Sequence, residues 1–190
     1  MPLTWFALLM IAPFFWFSML ARRTFVVPGG GAAGLALGAV SMISGIALGV
    51  WAGERATYHP ILWAGGAIVA VSSVVLYESA RRVVTGRGFC SVLSGEVPPA
   101  VCTEGPFRHV RHPVYTSYLL AFLGLLVAYP GVESASIFVL NVGFYLYAAS
   151  HEERAIARSP LGSAYASYKR VTGMFLPRLR HAIGSPPPSA

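Results

Sequence analysis

The sequence has no aspartate, and charged side chains make up only 11% of its 190 residues. A soluble domain usually carries about 25% charged residues. Hydrophobic residues account for 55% of the chain, and its mean hydropathy is +0.62. This composition predicts an integral membrane protein. The length accommodates four or five spans and leaves no room for a second globular domain.

Cysteine is also scarce, because Cys90 and Cys102 are the only two. Both lie in the longest polar connection, residues 79–112, which we place in the cytosol. Disulfides are rare in that reducing compartment. No histidine or carboxylate cluster accompanies the thiols, so they do not make a metal site. The sequence therefore predicts two inert thiols and no metal centre.

Motifs of several other enzyme classes are missing. The chain has no nucleophile elbow, no Walker loop and no H-E-x-x-H zinc helix. The apolar segments also lack ionisable groups at mid-depth, since Glu78 and Glu133 stand at segment ends. An ion pathway normally keeps such a group within the membrane. These absences argue against a transporter.

Five apolar segments predict an all-α fold with about five transmembrane helices. They cover residues 3–20, 32–51, 61–77, 113–129 and 134–150. The last two are near the lower length limit for crossing a bilayer, and they predict a tight helical hairpin. The second segment carries two small-xxx-small pairs, which predict close helix packing. These pairs are Gly34 with Gly38 and Gly45 with Gly49.

The positive charges predict the orientation of the chain. The net charge is +7, and the basic residues flank the apolar segments. That arrangement favours anionic lipid over nucleic acid as the partner of this charge. Of the 14 Lys and Arg residues, only Arg55 falls on the other side of the predicted spans. The positive-inside rule then predicts an external N-terminus and a cytosolic C-terminus, which we expect in a bacterial inner membrane.

Two arginines and two histidines precede the fourth apolar segment. His112 stands directly before Pro113, and proline suits the first turn of a helix. His112 is therefore predicted near a helix N-terminus, where free N–H groups and the helix dipole favour anionic groups. Two interpretations are open. The segment forms a ligand site, or it is an Arg/His anchor at the membrane boundary.

The predicted hairpin places Arg111 and His112 opposite the acidic pair Glu152-Glu153. Adjacent helical residues point about 100° apart, so only one of the two acids is expected to face a pocket. One interpretation is a carboxylate that holds an ammonium group of a ligand. The other is a solvated helix start, where acids favour the positive end of the dipole.

Residues 151–180 form a charged, amphipathic tail that is broken at Ser159-Pro160. The aromatic faces of Tyr165 and Tyr168 suit a sulfonium or quaternary ammonium group. The basic pair Lys169-Arg170 suits a carboxylate or a phosphate. An ordinary aromatic and basic belt at the membrane interface is the alternative.

Three motifs in this order resemble the signature of the isoprenylcysteine carboxyl methyltransferase family, whose architecture also serves phospholipid amines and small thiols. The first reads Gly105-Pro106-Phe107-Arg108 and then Arg111-His112-Pro113-Val114-Tyr115. The second is Glu152-Glu153, and the third runs from Gly162 through Tyr165, Tyr168 and Lys169-Arg170 to Leu176-Pro177. The match covers roughly residues 103–177. Ser163-Ala164 and the absence of a Val-Pro after Arg170 depart from the pattern, which leaves the acceptor group open.

The resemblance implies a membrane methyltransferase that uses S-adenosylmethionine at the cytosolic face. The implied cofactor-binding residues are Arg111, His112, Tyr115, Glu152, Glu153, Tyr165 and Tyr168. The implied catalytic residues are Glu153 and Arg170. Glu153, or failing that Glu152, would hold the methionine ammonium, and Arg170 would orient an anionic acceptor. Residues 1–100 would form the N-terminal membrane helices and loop, 101–180 the cofactor-binding region, and 181–190 a disordered tail.

The expected reaction is methylation of a hydrophobic or lipid-like acceptor. The substrate is either the carboxyl group of an isoprenylcysteine-like compound or the amine of a lipid. Methyl transfer needs positioning of two reactants and no covalent enzyme group. Two alternatives remain, an NADPH-dependent sterol-reductase-like membrane enzyme and a non-catalytic membrane protein.

Overall fold

The computed structural model describes residues 2–24, 32–55, 59–87 and 97–178. These ranges contain six α-helices and one 3-10 turn, and no strand is present in them. The helices are α1 (Pro2–Thr24), α2 (Ala32–Arg55), α3 (Pro60–Val84), α4 (Pro113–Ala128), α5 (Val132–Ala157) and α6 (Gly162–Val171), and the 3-10 turn spans Gly105–Arg108. The all-α prediction is confirmed for the described part of the chain.

Two of the helices have the length and composition of a membrane span. α3 and α5 are apolar enough over 25 and 26 residues to cross a bilayer. Shorter apolar stretches are Leu8–Ala21, Gly38–Ala52 and Pro113–Ala128. α4 has 16 residues, about 24 Å at 1.5 Å per residue, which is less than the hydrocarbon thickness of about 30 Å. The count of five spans stays a prediction.

α3 continues seven residues beyond its predicted end because its charged residues are paired. Glu78 Oε2 and Arg81 Nη2 are 2.7 Å apart, one helical turn from each other. The Trp16 indole N–H of α1 also donates to Glu78 Oε1 at 2.9 Å. A carboxylate with these partners is tolerated within a helix, so α3 does not end at Glu78.

α5 likewise runs past its predicted end at residue 150 and stops at Ala157. Glu152 and Glu153 therefore lie in its last two turns. Their interpretation as a solvated helix start was wrong. At the C-terminal end of a helix the dipole disfavours acids, so this pair requires positive partners. The predicted break at Ser159-Pro160 is confirmed, since α6 begins only at Gly162.

α4 lies at the centre of the bundle, and nine of its residues are buried. Its closest neighbour is α3, and the two helices meet at Gly66 and Gly124. A Cβ on Gly66 would lie 2.7 Å from the Gly124 carbonyl oxygen and 2.7 Å from Ala128 Cβ. A Cβ on Gly124 would lie 3.0 Å from the Gly66 carbonyl oxygen. Glycine at both positions allows the backbones to approach this closely.

The small-residue pairs predicted in α2 are partly confirmed. A Cβ on Gly45 would lie 2.4 Å from the Phe14 ring, and one on Gly49 would lie 2.3 Å from Ile11 Cγ2. α2 therefore packs closely on α1 at this pair. Among the described residues no heavy atom lies within 4 Å of such a Cβ on Gly38, so the packing role of the first pair stays a prediction. The side-chain surroundings of Gly34 lie outside the described residues.

We expect Gly66→Ala to lower the melting temperature of the detergent-purified protein. The added methyl group would overpack the α3–α4 contact, and overpacking typically costs about 1–3 kcal/mol. Gly143→Ala is the matched control, because no atom of the described residues lies within 4 Å of its Cβ and alanine favours helix. Equal melting temperatures for the two variants would contradict the assignment of Gly66 to a backbone contact.

Candidate functional site

The segment that leads into α4 is anchored to the end of α3. Gly105 has a φ of +52°, a conformation that favours glycine, and it begins the 3-10 turn. Phe107 in this turn is buried against Ala80 and Val84 of α3. The turn therefore positions residues 109–112 relative to the end of α3. His112 caps α4, which begins at Pro113 as predicted.

Residues 110–112 run alongside the segment that follows α6. Val110 and Gly173 form an isolated parallel bridge. The Arg111 N–H donates to the Gly173 carbonyl at 2.8 Å, and the His112 N–H donates to the Met174 carbonyl at 3.2 Å. A Cβ on Gly173 would overlap the Leu176 carbonyl oxygen, so only glycine fits there. The C-terminal segment is thus held against the start of α4.

Glu153 is a buried carboxylate at the centre of a group of basic side chains. Its Oε1 accepts a hydrogen bond from Arg111 Nε at 2.8 Å and lies 3.2 Å from His112 Nε2. Its Oε2 lies 2.6 Å from Lys169 Nζ. The side chains of Arg111 and Glu153 are each only 5% exposed. The three basic partners offset the cost of burying this carboxylate at a helix C-terminus.

Glu152 joins the same group from the neighbouring position. The Tyr115 hydroxyl donates to Glu152 Oε1, and Glu152 Oε2 lies 3.7 Å from His112 Nδ1. The His112 ring therefore stands between two carboxylates, one at each ring nitrogen. Both acids therefore contact the same imidazole, and which of them faces a ligand stays a prediction. We call Arg111, His112, Tyr115, Glu152, Glu153 and Lys169 the Glu153 cluster.

An aromatic wall lies next to the charges. The rings of His112 and Tyr115 are parallel, with centroids 5.5 Å apart. Tyr115 also contacts Tyr145 of α5, with ring centroids 5.3 Å apart. Phe175 meets the His112 ring edge to face at 6.1 Å. The cluster thus combines paired carboxylates, basic groups and flat aromatic surfaces, which suit a ligand that carries an ammonium, a carboxylate and a cationic or aromatic group.

Tyr165 and Tyr168 lie on the buried face of α6. The Tyr168 hydroxyl donates to the Phe107 carbonyl at 2.5 Å, which ties the tail to the 3-10 turn. Burial raises the pKa of both phenols well above the usual value for tyrosine, and the Glu153 charge raises the pKa of Tyr165 further. Both hydroxyls therefore stay protonated at neutral pH and act as hydrogen-bond donors.

The structure does not bring Arg170 into the Glu153 cluster. Its side chain is exposed, and its Nη2 donates to Ser167 Oγ at 2.9 Å. Lys169 makes the contact with Glu153 instead. Helical spacing could have indicated this, because Lys169 is four residues after Tyr165 and shares its face. The role of Arg170 toward an acceptor stays a prediction.

Sequence reasoning also missed two residues of the C-terminal segment. Arg111 Nη1 donates to the carbonyl of Thr172, and Gly173 makes the backbone contact described above. No side-chain pattern marks a residue that acts through its carbonyl. The glycine was the only signal available in the sequence.

Comparison with known families agrees with this geometry. The family model described as phospholipid methyltransferase matches residues 60–159, from the start of α3 to just beyond the end of α5. The match covers more than half of the chain and includes every Glu153-cluster residue except Lys169. The chain therefore belongs to the phospholipid methyltransferase family, which confirms the predicted resemblance to membrane methyltransferases.

Two characterised proteins are similar to parts of the chain. One is methanethiol S-methyltransferase of Pseudomonas sp. (strain GM41(2012)), 31% identical over 88 residues, which are 45% of this chain and 32% of that protein. The other is cobalt-zinc-cadmium resistance protein CzcN of Cupriavidus metallidurans, 30% identical over 95 residues, which are 50% of this chain and 44% of that protein. The chain thus spans less than half the length of these relatives. No solved structure matches it.

We expect Arg111→Gln to destabilise the protein strongly. Removing one partner of a buried ion pair costs about 3–5 kcal/mol, and the lower end applies because His112 and Lys169 remain beside Glu153. Arg87→Gln is the matched control, since Arg87 pairs with Glu104 in an exposed position where an ion pair contributes about 0–1 kcal/mol. Unfolding in detergent, followed by circular dichroism, measures both. Equal stabilities would contradict a structural role for the Arg111–Glu153 pair.

Proposed function

We propose that this protein is an S-adenosylmethionine-dependent membrane methyltransferase with a hydrophobic or lipid-like acceptor. The Glu153 cluster is its cofactor site. The observation that carries the proposal is the imidazole of His112 held between Glu152 and Glu153 at the end of a span-length helix. Membership of a methyltransferase family supports the same reaction class.

The two acids have different tasks in this proposal. Both Glu153 oxygens have basic partners, and its side chain is 5% exposed. Glu153 therefore positions Arg111 and His112. The Glu152 side chain is 28% exposed, so it is the carboxylate that an incoming methionine ammonium can reach. This assignment reverses the order of preference that the sequence suggested.

The remaining groups orient the reactants. The parallel rings of His112 and Tyr115 offer flat surfaces for a sulfonium or an adenine. When bound, S-adenosylmethionine supplies an activated methyl group, so the protein contributes mainly by positioning. Tyr165 and Tyr168 keep their protons and cannot serve as bases. For an amine acceptor, the proton would pass to His112 or Glu152.

Three acceptor classes are compatible with this site. A carboxylate of an isoprenylcysteine-like lipid and the amine of a phospholipid both fit a membrane site. One relative is named for a small thiol, so a thiol acceptor joins them. The exposed Arg170 is available to orient an anionic acceptor. The expected orientation, with the C-terminus inside, gives the site access to cytosolic cofactor.

Calorimetry with S-adenosylhomocysteine, beside NADPH, tests the proposal on the detergent-purified protein. We expect S-adenosylhomocysteine alone to bind. Glu152→Gln should weaken it by roughly 10- to 100-fold, since hydrogen bonds to charged groups contribute about 1.5–3 kcal/mol. His112→Ala should also lose binding.

Glu104→Gln is the matched control, because Glu104 is exposed and lies outside the cluster. Its affinity should equal that of the wild type. Glu153→Gln should show its effect first as a lower melting temperature. Binding of NADPH alone would point to the reductase-like alternative, and binding of neither ligand to folded protein would point to a non-catalytic role.

A further inference from the structure

A second candidate site lies on the outer side of α3, away from the Glu153 cluster. It is an open groove with a volume of about 650 Å³ between α3 and the 3-10 turn. No residue of the Glu153 cluster lines it. The groove therefore does not belong to the cofactor site.

The lining of this groove changes from apolar to polar along α3. Val71 and Val75 form its apolar part, and they are 52% and 59% exposed on a helix of membrane-span length. Ser79 follows toward the end of α3, and there the 3-10 turn contributes Arg108 and His109. Val71 and Ser79 are eight residues apart, about 12 Å along a helix. An apolar part followed by a polar, basic part matches the acyl chain and the headgroup of a lipid.

The polar end carries positive charge that the described residues do not neutralise. Within the described ranges no acidic side chain forms an ion pair with Arg108, whereas Arg81 and Arg87 are both paired. Arg108 and His109 are exposed. Basic side chains at the cytoplasmic surface attract anionic lipid headgroups. The exposed basic groups and the apolar lining of the groove together indicate an anionic lipid as its ligand.

We propose that this groove binds one anionic phospholipid. Its phosphate contacts Arg108 and His109, and one acyl chain lies along Val71 and Val75. The inference rests on the proposed membrane orientation of α3. Because the 3-10 turn continues directly into Arg111 and His112, the bound lipid stabilises the start of α4 without entering the cofactor site.

Native mass spectrometry of the delipidated protein tests this proposal. The titrants are phosphatidylglycerol and phosphatidylcholine with identical chains. We expect one retained phosphatidylglycerol and weaker phosphatidylcholine binding. The double variant Arg108→Gln/His109→Gln should bind phosphatidylglycerol roughly tenfold more weakly. Arg158→Gln is the control, since it removes an exposed charge outside the groove and should leave the affinity unchanged.

Competition with inorganic phosphate distinguishes a lipid from a simple anion. Inorganic phosphate should not displace phosphatidylglycerol, because it lacks the chain that contacts Val71 and Val75. Displacement at similar concentrations would overturn the lipid assignment in favour of a simple anion site. Equal affinity of the double variant and the control would overturn the groove itself.

The result for lipid binding can be distinguished from the result for the proposed methyltransferase function. S-Adenosylhomocysteine binding is measured on the same samples. Lipid binding without S-adenosylhomocysteine binding would support the groove and contradict the methyltransferase proposal. Loss of lipid binding in the double variant, with the cofactor affinity retained, would establish two independent sites.

Discussion

The carboxylate of Glu153 is the group on which the arrangement of the C-terminal half depends. It is almost fully buried near the negative end of the α5 dipole, so it must be neutralised by the protein. Its partners come from the start of α4 and from α6. One buried charge therefore joins the three sequence motifs into a single site.

The helices were predictable from apolar runs, but their ends were not. A span was expected to stop where charge begins, at Glu78 in α3 and before Glu152 in α5. Both helices continue because the charges find partners, Arg81 and Trp16 in the first case and the cluster in the second. A sequence read residue by residue does not show these tertiary pairings. For the same reason, the contact between Gly66 and Gly124 could not be predicted from the sequence.

The site itself was partly predictable. A hairpin with short connections brings its ends together, and Arg111 does contact Glu153. The roles that we propose for the two acids could not be predicted, because they depend on how deeply each side chain is buried. Lys169 was missed as the contacting base although its helical position indicated it. The carbonyl of Thr172 carries no sequence signal at all.

The pairing of Arg111 with Gly173 has a consequence for biosynthesis. About 60 residues separate the two, and translation proceeds at about 5–20 residues per second. The ribosome therefore passes Arg111 roughly 3–12 seconds before it adds Gly173. During that interval the arginine lacks the backbone contact of the mature protein, and Glu153 lacks Lys169. The Glu153 cluster and its backbone contact are therefore completed only after Lys169 and Gly173 have been synthesised.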